Sequence, residues 1–175
     1  MNVIFIDFDG VLNTIHYMKD EDEERRIQIL ADICHTYDCK VVIESAHKDY
    51  VDEKTLTSEV EWIQFIFDCF KKYEIDCIGT TPDVRNDAGD IWKENEIISY
   101  LESNPEIEHF CVIDDDDRKT MLHQESDLDK VRDHLILTKA YVEGHPEEEG
   151  LLPRHKEEVG RILELENEFR VRKVR

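Results

Sequence analysis

Five short apolar-rich runs divide the chain, and between them apolar residues return at the spacing of a helix. The runs centre on Val3-Ile4-Phe5-Ile6, Cys39-Lys40-Val41-Val42-Ile43, Ile75 to Thr80, His109-Phe110-Cys111-Val112-Ile113 and His134 to Thr138. Runs without polar alternation suit strands covered on both faces, as in a parallel sheet. The first intervening segment opens on the acidic stretch Asp20 to Glu24 and carries Ile27, Leu30, Ile33, Cys34 and Tyr37 on one face. Acids suit a helix N-terminus because of its partial positive charge. Ser58-Glu59-Val60-Glu61 has the form of a capping box before a stripe of Trp62, Ile63, Ile66, Phe70 and Tyr73. A third helix is expected over Asp90 to Ser103, stopped by Asn104-Pro105. A weaker one is expected near Ser126 to Arg132, and a closing one over Pro153 to Arg172.

Strands alternating with helices imply right-handed crossovers and a Rossmann-like α/β fold, a parallel sheet of about five strands with helices on both faces. Ligands of such sheets bind at the carboxyl ends of the strands. Three of those ends carry Asp7 and Asp9, Ser45, and Asp114 and Asp115. On an extended chain Asp7 and Asp9 share a face. Two carboxylates about 7 Å apart repel by roughly 2 to 3 kcal/mol at an effective dielectric near 20. A divalent cation, or a proton kept on one of the pair, relieves that repulsion. Gly10 lets the chain turn sharply beside them. Asp114 to Asp117 is a longer acidic run than capping a helix needs, so Asp114 is expected to ligate a metal, with Asp115 joining it directly or through water. Asp116 and Asp117 are expected at the surface or as caps.

Composition narrows the class. The chain has 175 residues, 40% of them hydrophobic and 37% charged, which suits a single globular domain spanning residues 1–175. No apolar run approaches the roughly 18 residues of a membrane span, and Met1 leads straight into the first strand, so a cytoplasmic protein without membrane attachment is expected. Five cysteines without a C-x-x-C pair suggest reduced core thiols rather than disulfides or zinc. The net charge of −21 argues against non-specific nucleic-acid binding. It leaves room for a phosphorylated substrate, since a metal ion and a lysine can reverse the sign inside a cleft.

Asp7-Phe8-Asp9-Gly10-Val11-Leu12-Asn13 resembles the first motif of the haloacid dehalogenase (HAD) superfamily. Taken with Val41-Val42-Ile43-Glu44-Ser45, Lys93-Glu94-Asn95-Glu96-Ile97, Val112-Ile113 with Asp114 to Asp117, and the late Gly150-Leu151, the chain resembles the small HAD domain of Swiss Army Knife RNA repair-type proteins. It departs from that pattern in Ser45-Ala46-His47-Lys48, where the family has S-S-W-R-like residues, and in Lys93-Glu94, where it has a basic-Gly pair.

The resemblance implies an HAD-like fold, and since neither Leu12 to Ser45 nor Ser45 to Lys93 holds an insertion large enough for a separate cap domain, the site is expected to be open. The resemblance also implies a magnesium-dependent phosphatase in which Asp7 is the nucleophile and Asp9 the general acid and base. Ser45 and Lys93 would bind the phosphoryl group, with Arg85 and Lys48 as rivals to Lys93. Asp7, Asp9, Asp114 and Asp115 would hold Mg2+. Each has a plainer role: Ser45 and His47 as loop residues, Lys48 and Lys93 as solvated cations. The substrate expected is a small phospho-metabolite, a nucleotide or a nucleic-acid end. The basic tail Arg170 to Arg175 either anchors a strand or merely complements a helix C-terminus. A receiver-like phosphoacceptor or a non-catalytic interaction domain is the alternative.

Overall fold

The computed structural model describes residues 1–14, 20–84, 93–116 and 131–174. Five strands, β1 (Asn2–Ile6), β2 (Cys39–Ile43), β3 (Cys77–Thr80), β4 (His109–Asp114) and β5 (Leu135–Leu137), form one sheet in the order β3-β2-β1-β4-β5. All neighbours are parallel. The helices are α1 (Asp20–Tyr37), α2 (Glu61–Lys72), α3 (Lys93–Ser103) and α4 (His155–Val174). The chain winds outward from β1 through β2 to β3, then returns to the other side of β1 with β4 and β5. The reversal falls between β1 and β4, where such sheets place their ligand crevice.

Residue alternation along the strands divides the core in two. Ile4 and Ile6 of β1, Val41 and Ile43 of β2, and Cys111 and Ile113 of β4 join the stripes of α1, α2 and the start of α4. Val3, Phe5, Val42 and Val112 face the other way and pack with Ile97 of α3 and Val131. Both faces of the central strands β1, β2 and β4 are thus covered, as their apolar runs require. The described residues form no separate cap domain, and no helix among them is long and apolar enough to cross a membrane. No disulfide joins any of the five cysteines. Burial pushes the Cys39 thiol up to about 12 and those of Cys69 and Cys77 up to about 11, so they are thiols at neutral pH.

Some boundaries differ from the sequence expectation. The Ser58 capping box does not form: α2 begins at Glu61, and its N-cap, Val60, makes no side-chain cap bond. Ser58 instead donates its hydroxyl to the Tyr50 carbonyl and accepts from the Val60 N–H, while Gln64, not Glu61, reaches back to the Ser58 N–H at 2.9 Å. β3 starts at Cys77 rather than Ile75, because Glu74 turns at φ 55° and the Ile75 N–H closes the end of α2 on the Phe70 carbonyl. α4 starts at His155, two residues after Pro153. The expected helix start at Asp90 and most of the segment near Ser126 lie outside the described residues.

His155 is buried at 2% exposure, and its Nδ1 accepts the Leu152 N–H at 3.0 Å, which requires that nitrogen unprotonated. Burial, with Arg154 nearby, brings its pKa down from 6.5 to about 4. A depressed histidine contributes its stability fully above 6.5 and loses it as pH falls toward 4, by up to about 3 kcal/mol. Urea unfolding at pH 7 and pH 4.5 is expected to show a smaller loss in His155→Asn, whose amide oxygen can still accept the bond. Equal losses in both proteins would show that His155 does not carry the acid sensitivity.

Candidate active site

The site grows out of sheet register. Ile6 pairs with Ile43 on one side and with Ile113 on the other. One residue further along each strand stands an acid: Glu44, Asp7 and Asp114. The ladder continues into that row, with Glu44 N–H on the Ile6 carbonyl at 2.9 Å and Asp7 N–H on the Ile113 carbonyl at 3.1 Å. The three acids are in step with Val42, Phe5 and Val112, so they share the sheet face that α3 covers. All three are buried. Adjacent strands lie about 4.8 Å apart, a spacing at which three bare carboxylates repel strongly.

The first residue of α3 answers that repulsion. Lys93 donates from Nζ to Asp7 Oδ2 at 2.5 Å and to Asp114 Oδ2 at 2.9 Å. Burial alone would lower the lysine's pKa, but Glu44, Asp7 and Asp114 outweigh it and raise it, so Lys93 stays an ammonium. Burial raises the Asp7 carboxyl above its usual range and Asp114 adds to this, against the pull of Lys93 and a hydrogen bond from Ser45. Asp7 Oδ1 also accepts the Phe8 N–H at 2.7 Å, which fixes the carboxylate plane.

Asp115 follows Asp114 out of β4, and one ligand atom from each of Asp7, Asp114 and Asp115 lies within 4.8 Å of the others. Burial, then the charges of Asp114 and Asp7, push Asp115 up to about 6. Room for its side chain comes from Gly10, at φ 69°, where a Cβ would stand 2.3 Å from Asp115 Cγ and 2.6 Å from its Cβ. An all-carboxylate cradle of this kind fits a hard divalent cation such as Mg2+ and suits a soft metal poorly. The described residues offer no other group of three or more histidines, cysteines or acids close enough to share an ion.

Asp9 is not part of that cluster. Phe8 turns into the core between Trp62 and Phe67, the chain leaves the extended path, and the Asp9 carboxylate, more than half exposed, pairs through Oδ2 with His47 Nε2 at 2.7 Å. His47 rests edge-on against Trp62 at 5.1 Å. Ser45 is buried at the end of β2, where its hydroxyl meets Asp7 and accepts the His47 N–H at 3.3 Å. Lys48, a rival to Lys93, is instead committed to a buried ion pair with Glu96 of α3, and also donates to Thr81 Oγ1 and the Pro82 carbonyl. That pair ties the Ser45 loop to the helix that bears Lys93. Arg85 and Asp117 lie outside the described residues, and Asp116 donates its N–H to Asp114 Oδ1 at 3.0 Å.

The loop after β1 is held from three sides. Thr138 donates its hydroxyl to the Gly10 carbonyl, Leu151 its N–H to the Val11 carbonyl, and the fully buried Arg26 its guanidinium to the Leu12 carbonyl and Thr14 Oγ1. Gly150 lies at φ 70°, where a Cβ would stand 2.5 Å from Arg26 Nε. This close approach explains the late Gly-Leu pair of the sequence.

A parallel sheet with its reversal at β1 and β4, strand-end aspartates on that edge and a helix-borne lysine between them define the HAD class of α/β domains. Within it, the family described as the HAD domain in Swiss Army Knife RNA repair proteins matches residues 3–143, and the chain belongs to that family. No curated protein and no solved structure matches the chain.

Replacing Gly10 by alanine places a methyl group inside the Asp115 side chain and strains a left-handed position by about 1 kcal/mol or more. Calorimetric titration of Gly10→Ala is expected to show Mg2+ affinity down by at least about tenfold with the fold retained. Unchanged affinity would remove Asp115 from the cation site.

Proposed function

We propose that the chain is a magnesium-dependent phosphatase that hydrolyses a phosphomonoester through an aspartyl-phosphate on Asp7. The observation that carries this reading is the buried row of Glu44, Asp7 and Asp114 with the Lys93 ammonium bonded to two of its members. Among the described residues, four carboxylates, counting Asp115, stand around Lys93, so a phosphate dianion would be helped by further positive charge. Bound Mg2+, held by Asp7, Asp114 and Asp115, would supply that charge and polarise the phosphoryl oxygens.

The protein's own groups divide the remaining work. Asp7 Oδ2 attacks phosphorus in line with the ester bond, with the carboxylate held by the Phe8 N–H and Ser45. Lys93 and the Ser45 hydroxyl receive the phosphoryl oxygens. As the P–O ester bond breaks, the leaving oxygen takes a proton from Asp9. The resulting Asp9 carboxylate then removes a proton from water, the oxygen of which attacks phosphorus and returns Asp7 free. His47 keeps Asp9 at the outer rim rather than among the buried acids, so one carboxyl serves proton transfer while the other serves as nucleophile.

Family membership favours a nucleotide or nucleic-acid end as substrate. The −21 charge favours the second reading, a small phospho-metabolite. Turnover by Asp7→Asn, measured on a panel of both kinds with Mg2+, is expected to fall below about one hundredth of wild type, a loss of more than roughly 2.7 kcal/mol of transition-state stabilisation. Residual activity above that level would give the nucleophile's role to another group, and a single phosphorylation without turnover would favour a receiver-like acceptor. The backbone of α4 stays helical to Val174, which puts Arg170, Arg172 and Lys173 at its C-terminal end. Deleting residues 170–175 is expected to slow hydrolysis of an oligonucleotide phosphate and flatten its salt dependence, with p-nitrophenyl phosphate cleaved as before. Equal rates on both substrates after truncation would favour the small metabolite.

A further inference from the structure

Glu44 has no part in the chemistry above, although it is fully buried in the same row as the nucleophile. Register sets it one strand from Asp7 on the side opposite Asp114, and alternation turns it toward the face that α3 covers. It is outside the Asp7, Asp114 and Asp115 cluster that fits a cation. Lys93 has three donors, and its two short bonds run to Asp7 and Asp114, both members of that cluster. Were those two acids to share their oxygens with a cation, their hold on Lys93 would weaken and a second positive charge would stand near it. A carboxylate that the cation does not use is then what keeps the ammonium in place.

We propose that Glu44 is the positioning residue for Lys93, the counter-ion that holds the ammonium beside Asp7 once a cation has engaged Asp7 and Asp114. The inference rests on the phosphatase reading of the site. Glu44 also ranks first among the charges that keep Lys93 protonated. Through this pair the phosphoryl group meets a charge already placed, and none of its binding is spent on ordering a flexible lysine.

The sign of one substitution separates this role from that of a bare negative charge. Removing an anion near a phosphate site should strengthen phosphate binding if charge alone matters. If Glu44 acts through Lys93, Glu44→Gln should weaken it. Calorimetry with inorganic phosphate and saturating Mg2+ is expected to show affinity about tenfold lower in Glu44→Gln. The effect should disappear or reverse in a Lys93→Met background. Glu44→Asp, which keeps the charge but withdraws it by one methylene, should also weaken binding and serves if the glutamine variant does not fold. A phosphate-independent readout is acetylation of Lys93 by acetic anhydride with Mg2+ present, followed by mass spectrometry, and Glu44→Gln should raise its rate several-fold. Tighter phosphate binding, or unchanged Lys93 labelling, would overturn the proposal. Failure of the wild type to bind phosphate while Glu44→Gln still exposes Lys93 would instead overturn the phosphatase reading and leave the Glu44–Lys93 pair standing.

Discussion

The Lys93 ammonium among buried acids is the constraint around which the described part of the molecule is arranged. Three adjacent parallel strands each deliver a carboxylate to the same level of the sheet, all on one face, and Lys93 is bonded to two of them. An isolated buried carboxylate is costly, and each further one raises the cost of ionising its neighbours. The arrangement therefore depends on α3 docking with its first residue over the sheet, and that docking depends on Ile97 packing against Val3, Phe5, Val42 and Val112. Core packing and site electrostatics are thus the same event. Apolar burial on one sheet face places the helix, and the helix places the charge.

Much of this was legible in the sequence. Apolar-rich runs marked five strands, and the ends of three marked Asp7, Ser45 and Asp114, because strand periodicity is local. Glu44 was passed over, although Ile6-Asp7, Ile43-Glu44 and Ile113-Asp114 repeat one pattern of a last core residue followed by an acid. Only the register between strands turns that repetition into a row, and register is a tertiary property. Asp9 was grouped with Asp7 because extended backbone would put them on one side. The turn into Phe8 and Gly10 ends the extended path and hands Asp9 to His47. His47 and Lys48 read as loop residues because their partners, Asp9 and Glu96, are far off in sequence. The Ser58 capping pattern failed for a related reason: the Tyr50 carbonyl recruits the serine hydroxyl, a competitor that local sequence does not display.

The loop carrying Asp9 and Gly10 combines a reactive rim with a fixed base. Its carbonyls at Gly10, Val11 and Leu12 are bonded by Thr138, Leu151 and Arg26, contributions from three distant parts of the chain. The proposed nucleophile, two residues before this loop, would gain from such support, since misplacement of reacting groups is costly in rate. Burial and neighbouring acids raise the Asp7 and Asp115 carboxyls, an effect that a nearby cation would oppose.

The Lys48–Glu96 pair bears on how this chain can vary over generations. Loss of either partner strands the other as an uncompensated buried charge, a change that costs roughly 3 to 5 kcal/mol, whereas exchanging both for well-packed apolar residues is often neutral or better. Against a stability of about 5 to 15 kcal/mol for a typical domain, either single step approaches the folding threshold. Lineages should therefore keep both residues or replace both, with few intermediates surviving. A salt bridge with no assigned part in the chemistry would then persist through historical contingency, and its presence in a relative would mark shared descent more reliably than shared substrate.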